Sequence, residues 1–316
     1  MPTGGSDCLY LSDVSPSDKP WDTHRTNASV VQGLYDGSDL QSYADRIGQC
    51  SQLLGFAFEA KDEGELKLRL RQAKFCRVRH CPVCQWRRAL MWRARFFQAI
   101  PQVREAYPTA RWVFLTLTVR NCPLEELRAT LKAMNSGWKR LIERKGWPAL
   151  GFVRSTEVTR GKDGTAHPHF HCLMLVPASY FSGPHYIKQD TWRELWQSAM
   201  RLDYLPVVNV KAVKPKKGLP EGTDPVAIAV LETLKYGVKE SDLMQDAAWL
   251  HELTVQLHKT RAMAIGGVLR DFLKEEEPED LINTETEDDS LNNESEPGVW
   301  FGWREMVKHY TKTERC

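Results

Sequence analysis

The stretch "FVRSTEVTRGKDGTAHPHFHCLMLV", residues 152–176, decides the fold. Its two halves, "FVRSTEVTR" and "HPHFHCLMLV", are rich in β-branched, aromatic and aliphatic residues, and "GKDGT" between them is a turn signal, so an antiparallel hairpin is predicted. Side chains alternate along a strand, which puts His167, His169 and His171 on one face and Pro168 and Phe170 on the other. Two imidazoles at i and i+2 stand about 6 to 7 Å apart and can converge on one metal ion. The outer pair, at about 13 Å, cannot do so without a bulge. His169 and His171 lie deeper in the apolar run than His167, which sits at its mouth, so they are the favoured pair. Across the turn, Glu157 completes the set if the hairpin pairs it near His169. Two imidazoles and a carboxylate suit Mn²⁺ or Mg²⁺ with coordination positions left open.

Working outward, "RWVFLTLTVRN" reads as a buried strand and "PLEELRATLKAMNSGWKRLIER" as an amphipathic helix opened by Pro123. A further helix is expected in "SGPHYIKQDTWRELWQSAMRL" and a strand in "PVVNVKAV". Asp224 and Pro225 supply the cap and first position of a helix through "VAIAVLETLKY". This order predicts an α+β fold in which a mostly antiparallel sheet is covered by helices. Upstream, Cys76, Cys81 and Cys84 form C-x4-C-x2-C, and the Cys81-Pro82-Val83-Cys84 knuckle can aim two thiolates at one ion. A structural Zn²⁺ site needs about four such ligands. Cys50 is the favoured fourth, because His80 adjoins Cys81 and would strain the knuckle.

The domain boundaries expected are a flexible N-terminal arm (1–44), a zinc-binding basic module (45–104), a catalytic domain (105–273), an acidic linker (274–296) and an aromatic-basic tail (297–316). Net charge is +2, but it is unevenly spread. Residues 275–296 hold eleven acids and no Lys or Arg, leaving 30 acids against 43 bases elsewhere, a formal excess of 13. Such a body attracts polyanions, nucleic acid above all. Arg87, Arg88, Arg93 and Arg95, between aromatics in "QWRRALMWRARFF", and His167 are the candidate DNA contacts. No apolar stretch approaches the ~20 residues of a membrane span and the start lacks signal-peptide character, so no membrane partner and a cytoplasmic location are expected.

The string "HPHFHCL" also fits the histidine-triad nucleotide hydrolases, whose middle histidine attacks a phosphate without metal. Those small domains need no cysteine-rich basic module, and "LETLKYGVKESD" points elsewhere. Glu232 and Tyr236 are i and i+4 neighbours on a helix, with Lys239 a turn beyond if the helix continues. A tyrosine can attack a phosphodiester when its oxygen is in line and the phosphate charge is neutralised.

Taken together, "FLTLTV" (114–119), "HPHFHCLML" (167–175) and "ETLKYGVK" (232–239), preceded by "YADRIGQCSQLLGF" and "FCRVRHCPVCQWRR", resemble the rolling-circle plasmid replication initiators of the HUH endonuclease superfamily, over roughly residues 43–272. The resemblance implies a central antiparallel sheet with the histidine strand in its middle and an appended zinc module. It implies His169 and His171 as metal ligands, Glu157 as the third, Tyr236 as the single nucleophile and Glu232 as the carboxylate that activates water at termination. It further implies plasmid origin DNA as substrate, with a host helicase and DNA polymerase as partners. A transposase or relaxase of the same superfamily shares this chemistry. A zinc-dependent DNA-binding repressor that leaves DNA uncut is the non-enzymatic alternative.

Overall fold

The computed structural model describes residues 9–60, 66–214, 224–234, 237–273 and 297–313. Among these residues the helices are α1 (Leu11–Val14), α2 (Pro20–Tyr35), α3 (Gln41–Gly48), α4 (Pro82–Ala106), α5 (Leu127–Ile142), α6 (Gln189–Met200), α7 (Pro225–Thr233), α8 (Glu240–Leu243), α9 (Ala247–Leu257) and α10 (Leu269–Phe272). The strands are β1 (Leu53–Ala60), β2 (Leu66–Ala73), β3 (Arg111–Thr118), β4 (Gly151–Arg160), β5 (Ala166–Val176), β6 (Val208–Ala212), β7 (Met263–Gly267), β8 (Val299–Arg304) and β9 (His309–Thr313). They form an α+β fold with two antiparallel sheets, divided between two compact units.

The first unit takes the described residues up to Met91, Leu243–Ala247 and the C-terminal residues from 297. Its sheet runs β2-β1-β8-β9. The aromatic-basic tail is therefore a hairpin whose first strand pairs with β1, Leu54 opposite Phe301 and Gly55 opposite Trp300. From Leu11 onward, helices replace the expected flexible arm. Trp21, Ala28, Val31 and Tyr35 recur at helical spacing in α2 and are fully buried. The stripe is hard to see in the sequence because Arg25 occupies one of its positions. That side chain is buried too, with its guanidinium 6.0 Å from the centre of the Trp303 ring. Asp22 ties the helix to β9, accepting from the Tyr310 N–H at 2.9 Å.

The second unit comprises Trp92–Asp242 and residues 248–273. Its sheet order is β6-β3-β5-β4-β7, so the histidine strand β5 lies at the centre. The β4–β5 hairpin turns through residues 161–165, where Gly164 takes φ +82° and Asp163 Oδ1 accepts from both the N–H and the hydroxyl of Thr165. One face of the sheet carries Val153, Leu173 and Leu175, packed with Phe96, Ile100 and Val103 of α4 and Val226 and Val230 of α7. Each such side chain contributes on the order of 1.5–3 kcal/mol by leaving water. The other face carries Phe152 and Phe170 against Trp138 of α5, with ring centres 4.9 and 6.3 Å apart, and Trp196 of α6. No described helix is long and apolar enough to cross a membrane.

Asp224 caps α7 as expected, accepting from the Val226 N–H at 2.9 Å. The helix, however, stops at Thr233 and does not continue to Lys239. Beyond it Val238 bridges to Val158 in parallel, and extended pairing of that kind is incompatible with helical dihedrals. Tyr236 and the acidic linker lie outside the described residues.

Candidate active site

Register builds the site. Glu157 of β4 stands opposite His169 of β5, and Ser155 opposite His171. Glu157, His169 and His171 project from one face at the end of the apolar layer formed by Val153, Leu173 and Leu175, and all three are buried. Glu157 Oε2 lies 3.1 Å from His169 Nε2 and 2.8 Å from His171 Nε2. The remaining ring nitrogens are also occupied. His169 Nδ1 is 3.2 Å from the His167 carbonyl oxygen, and His171 Nδ1 is 3.3 Å from Thr116 Oγ1, the residue across the β3–β5 ladder. Phe114 stacks on His171 at 5.5 Å.

A carbonyl oxygen only accepts, so His169 Nδ1 carries a proton and the neutral ring presents its Nε2 lone pair to the carboxylate. Lone-pair donors from three side chains lie within 4.8 Å of one another. Only a cation relieves that arrangement, either a proton on an imidazole or a divalent metal ion. Burial pushes the Glu157 carboxyl up, but with a proton on the imidazoles the hydrogen bonds and charge of His169 and His171 outweigh it and hold the group well below the usual carboxylate range. The donor set therefore fits a hard-to-borderline divalent ion.

His167 stands beside this cluster, its ring centre 5.2 Å from that of His169. Its Nδ1 is 2.7 Å from Asn121 Oδ1, while Asn121 Nδ2 donates to Thr165 Oγ1 at 3.0 Å and that hydroxyl donates to Asp163 Oδ1 at 2.6 Å. The chain of bonds leaves Nδ1 as the donor and Nε2 as the bare nitrogen of His167. Burial and the neighbouring His169 lower its pKa, partly offset by Glu157. Asn121 and Thr116 were not anticipated from the sequence; the Thr of "FLTLTV" was the available signal, but only pairing reveals its partner.

In the first unit, Cys50, Cys76, Cys81 and Cys84 come together as expected. Sulfur pairs are 3.6 Å (Cys50–Cys84), 3.5 Å (Cys76–Cys84) and 3.8 Å (Cys50–Cys81) apart. A tetrahedron with metal–sulfur bonds of about 2.3 Å has edges of roughly 3.8 Å, so the cage fits zinc. Backbone N–H groups of Cys76 and Arg77 point at Cys50 Sγ and Cys84 Sγ, the latter with Arg77 in the left-handed region at φ +57°. Hydrogen bonding with Cys76 pushes the Cys50 thiol well up and burial does so for Cys81, whereas bonds from Cys50, Cys76 and Cys81 hold Cys84 far below the usual thiol range. His80 is not among the four.

Other anticipated residues fare differently. Arg87 is buried, 5.2 Å from the Trp21 ring and 5.5 Å from Trp86, so it is a packing residue and not a DNA contact. Its cation faces their π-clouds. Arg88, Arg93 and Arg95 are partly exposed, Arg95 lying over Trp92 at 5.6 Å. Glu232 occupies the last turn of α7, and Lys239 is exposed beyond it. Gly237 accepts from the Val158 N–H at 2.8 Å, one residue from Glu157.

The profile of the family described as "Replication protein" matches residues 67–311. The chain belongs to that family. Among relatives of this replication protein, a "Protein rep" of Lentilactobacillus hilgardii is 37% identical over 282 residues, covering 86% of this chain and 87% of the relative. A "Protein rep" of Bacillus amyloliquefaciens is 35% identical over 342 residues, covering 98% and 99%. A third, from Streptococcus pneumoniae serotype 2, is 33% identical over 264 residues, covering 80% and 79%. No solved structure matches this replication protein.

Proposed function

We propose that this replication protein is a plasmid replication initiator of the HUH type, a cytoplasmic nickase-ligase that opens one strand at the origin for rolling-circle replication. The observation that carries the reading is the convergence of Glu157, His169 and His171 on one point of the central strand pair. These residues hold Mn²⁺ or Mg²⁺, whose chemistry is to draw charge from the scissile phosphate. His171 is oriented by Thr116, and His169 by the His167 carbonyl. Tyr236 is the nucleophile. Its oxygen forms a bond to phosphorus as the bond to the 3′-oxygen breaks, giving a 5′-phosphotyrosyl adduct and, after protonation, a 3′-hydroxyl that primes synthesis. The hydrogen bond from Val158 to Gly237 supports this assignment, since it anchors the neighbour of Tyr236 one residue from Glu157. Lys239 adds positive charge for the phosphate, and Glu232 activates water for release at termination.

In this reading the four cysteines hold a structural Zn²⁺, and Arg88, Arg93, Arg95 and His167 contact DNA. A host helicase and polymerase extend the primer. A transposase or relaxase would share the chemistry and differ in the DNA ends it joins.

The test is a denaturing gel of wild-type and Tyr236→Phe protein with labelled single-stranded DNA from its own replicon, in Mn²⁺ or in EDTA. A heat-stable covalent band seen only for wild type with Mn²⁺ is expected. An adduct retained in Tyr236→Phe would remove Tyr236 from the role, and duplex binding without any adduct would favour a non-cleaving repressor.

A further inference from the structure

The outward side of α5 and the segment after α9 border an open, shallow groove of about 380 Å³. Arg128, Lys132, Lys139 and Arg261 line it, together with the polar side chains of Asn135 and Ser136, and among the described residues no carboxylate takes part in the lining. Arg128, Lys132 and Lys139 recur at i, i+4 and i+11 along one exposed stripe. Arg128 is held in place: its guanidinium donates to the Val255 carbonyl and its backbone N–H to Gln256 Oε1 at 2.9 Å. Lys139 has Glu143 at 3.8 Å, both side chains being largely exposed, a pairing worth little in water.

This groove is separate from the candidate active site. On β4, Glu157 and Arg154 have opposite parity and so face opposite sides of the sheet. Arg154 donates to Asn135 of α5 at 2.7 Å, which puts α5 on the side away from Glu157, His169 and His171. A single strand threaded to the metal ligands does not account for four cations behind the sheet.

The chemistry of the lining selects the occupant. Cations with amide and hydroxyl donors match phosphate and sugar oxygens. Single-strand sites use aromatic platforms for bases, and among the described residues none lines the groove. Protein interfaces use aromatic or aliphatic anchors, and Leu131 is the one apolar lining residue among those described. The stripe from Arg128 to Lys139 spans about 16 Å along the helix, enough for several phosphates at one per roughly 3.4 Å of axis on each strand.

We propose that the groove between α5 and the segment after α9 binds the backbone of duplex DNA flanking the nick, on the side of the sheet opposite the metal ligands. This rests on the reading that the chain acts at an origin; the groove itself contributes affinity without sequence choice.

The test compares wild-type full-length protein with Arg128→Gln/Lys132→Gln/Lys139→Gln/Arg261→Gln, and with Lys132→Glu as a milder variant. Affinity for a duplex carrying the replicon's origin and for an unrelated duplex is measured from 50 to 300 mM salt, with thermal melts to verify folding. The slope of log affinity against log salt should fall by about 3 to 4 for the quadruple variant on both duplexes, at roughly 0.9 per phosphate contact. Affinity near 100 mM salt should drop at least tenfold, and Lys132→Glu should show a smaller loss in the same direction. Adduct formation on a short single-stranded nick-site oligonucleotide should be unchanged.

An unaltered slope in folded variants, or an equal loss on single-stranded DNA, would overturn the groove. Adduct formation with an unaltered slope would leave the nicking reading standing alone. A lost slope without any adduct in wild type would do the reverse.

Discussion

Glu157 stands directly across the β4–β5 ladder from His169, and its Oε2 is 3.1 Å from the His169 Nε2. The same oxygen reaches His171 Nε2 at 2.8 Å, so one carboxylate closes the donor set. Glu157→Gln keeps the shape and removes the anion. Its Mn²⁺ affinity, measured by calorimetry, should fall by at least about 10- to 100-fold, the range for disturbing even the groups that orient a metal's ligands. Unchanged affinity would assign the ion to other ligands.

The sulfur cage predicts one tightly held zinc per chain. Cys81→Ser should lose that zinc in elemental analysis and melt at a clearly lower temperature, because metal binding at such sites is part of the folding free energy. A Cys81→Ser protein with full zinc and wild-type melting would refute the structural role.

Arg154 is buried between the Phe170 ring, 3.9 Å away, and Trp138 at 5.2 Å, and burial lowers its pKa to about 10. Against the ordinary guanidinium value this corresponds to about 3 kcal/mol spent keeping the charge. Its Nε and Nη1 have no partner among the described residues, and Asn135 supplies the hydrogen bond to Nη2. Arg154→Met should therefore be neutral or stabilising in denaturant titrations. Asn135→Leu, which strands the cation, should cost about 1–3 kcal/mol. A large loss in the methionine variant would show that the cation itself holds α5 to the sheet.

His80 is fully buried with neither ring nitrogen bonded among the described residues, and burial, aided by Arg79 and Arg88, lowers its pKa to about 3. Between that value and the ordinary one of about 6.5 the unfolded chain binds the proton and the folded one does not. Stability therefore falls as pH drops through this window, by up to about 1.4 kcal/mol per pH unit. His80→Leu should show a shallower decline between pH 6.5 and 5.5, with zinc present in both proteins. Parallel curves would mean that His80 is solvated.

The sequence by itself determined the hairpin, the shared face of the histidines and the cysteine set, because strand alternation and ligand spacing are local properties of the chain. The capped start of α7 was legible for the same reason. Tertiary structure decided what depends on distant partners. Arg87 reads as a DNA contact, yet it is buried with its guanidinium over the Trp21 ring of α2. α7 ends early because Val238 pairs with a strand some 80 residues upstream in the chain. Thr116 and Asn121 orient His171 and His167 through contacts between segments about 50 residues apart. β8 reaches β1 across most of the chain's length. Pairing of this kind depends on which surfaces are left to be buried once the local elements have formed, and no short stretch of residues encodes it.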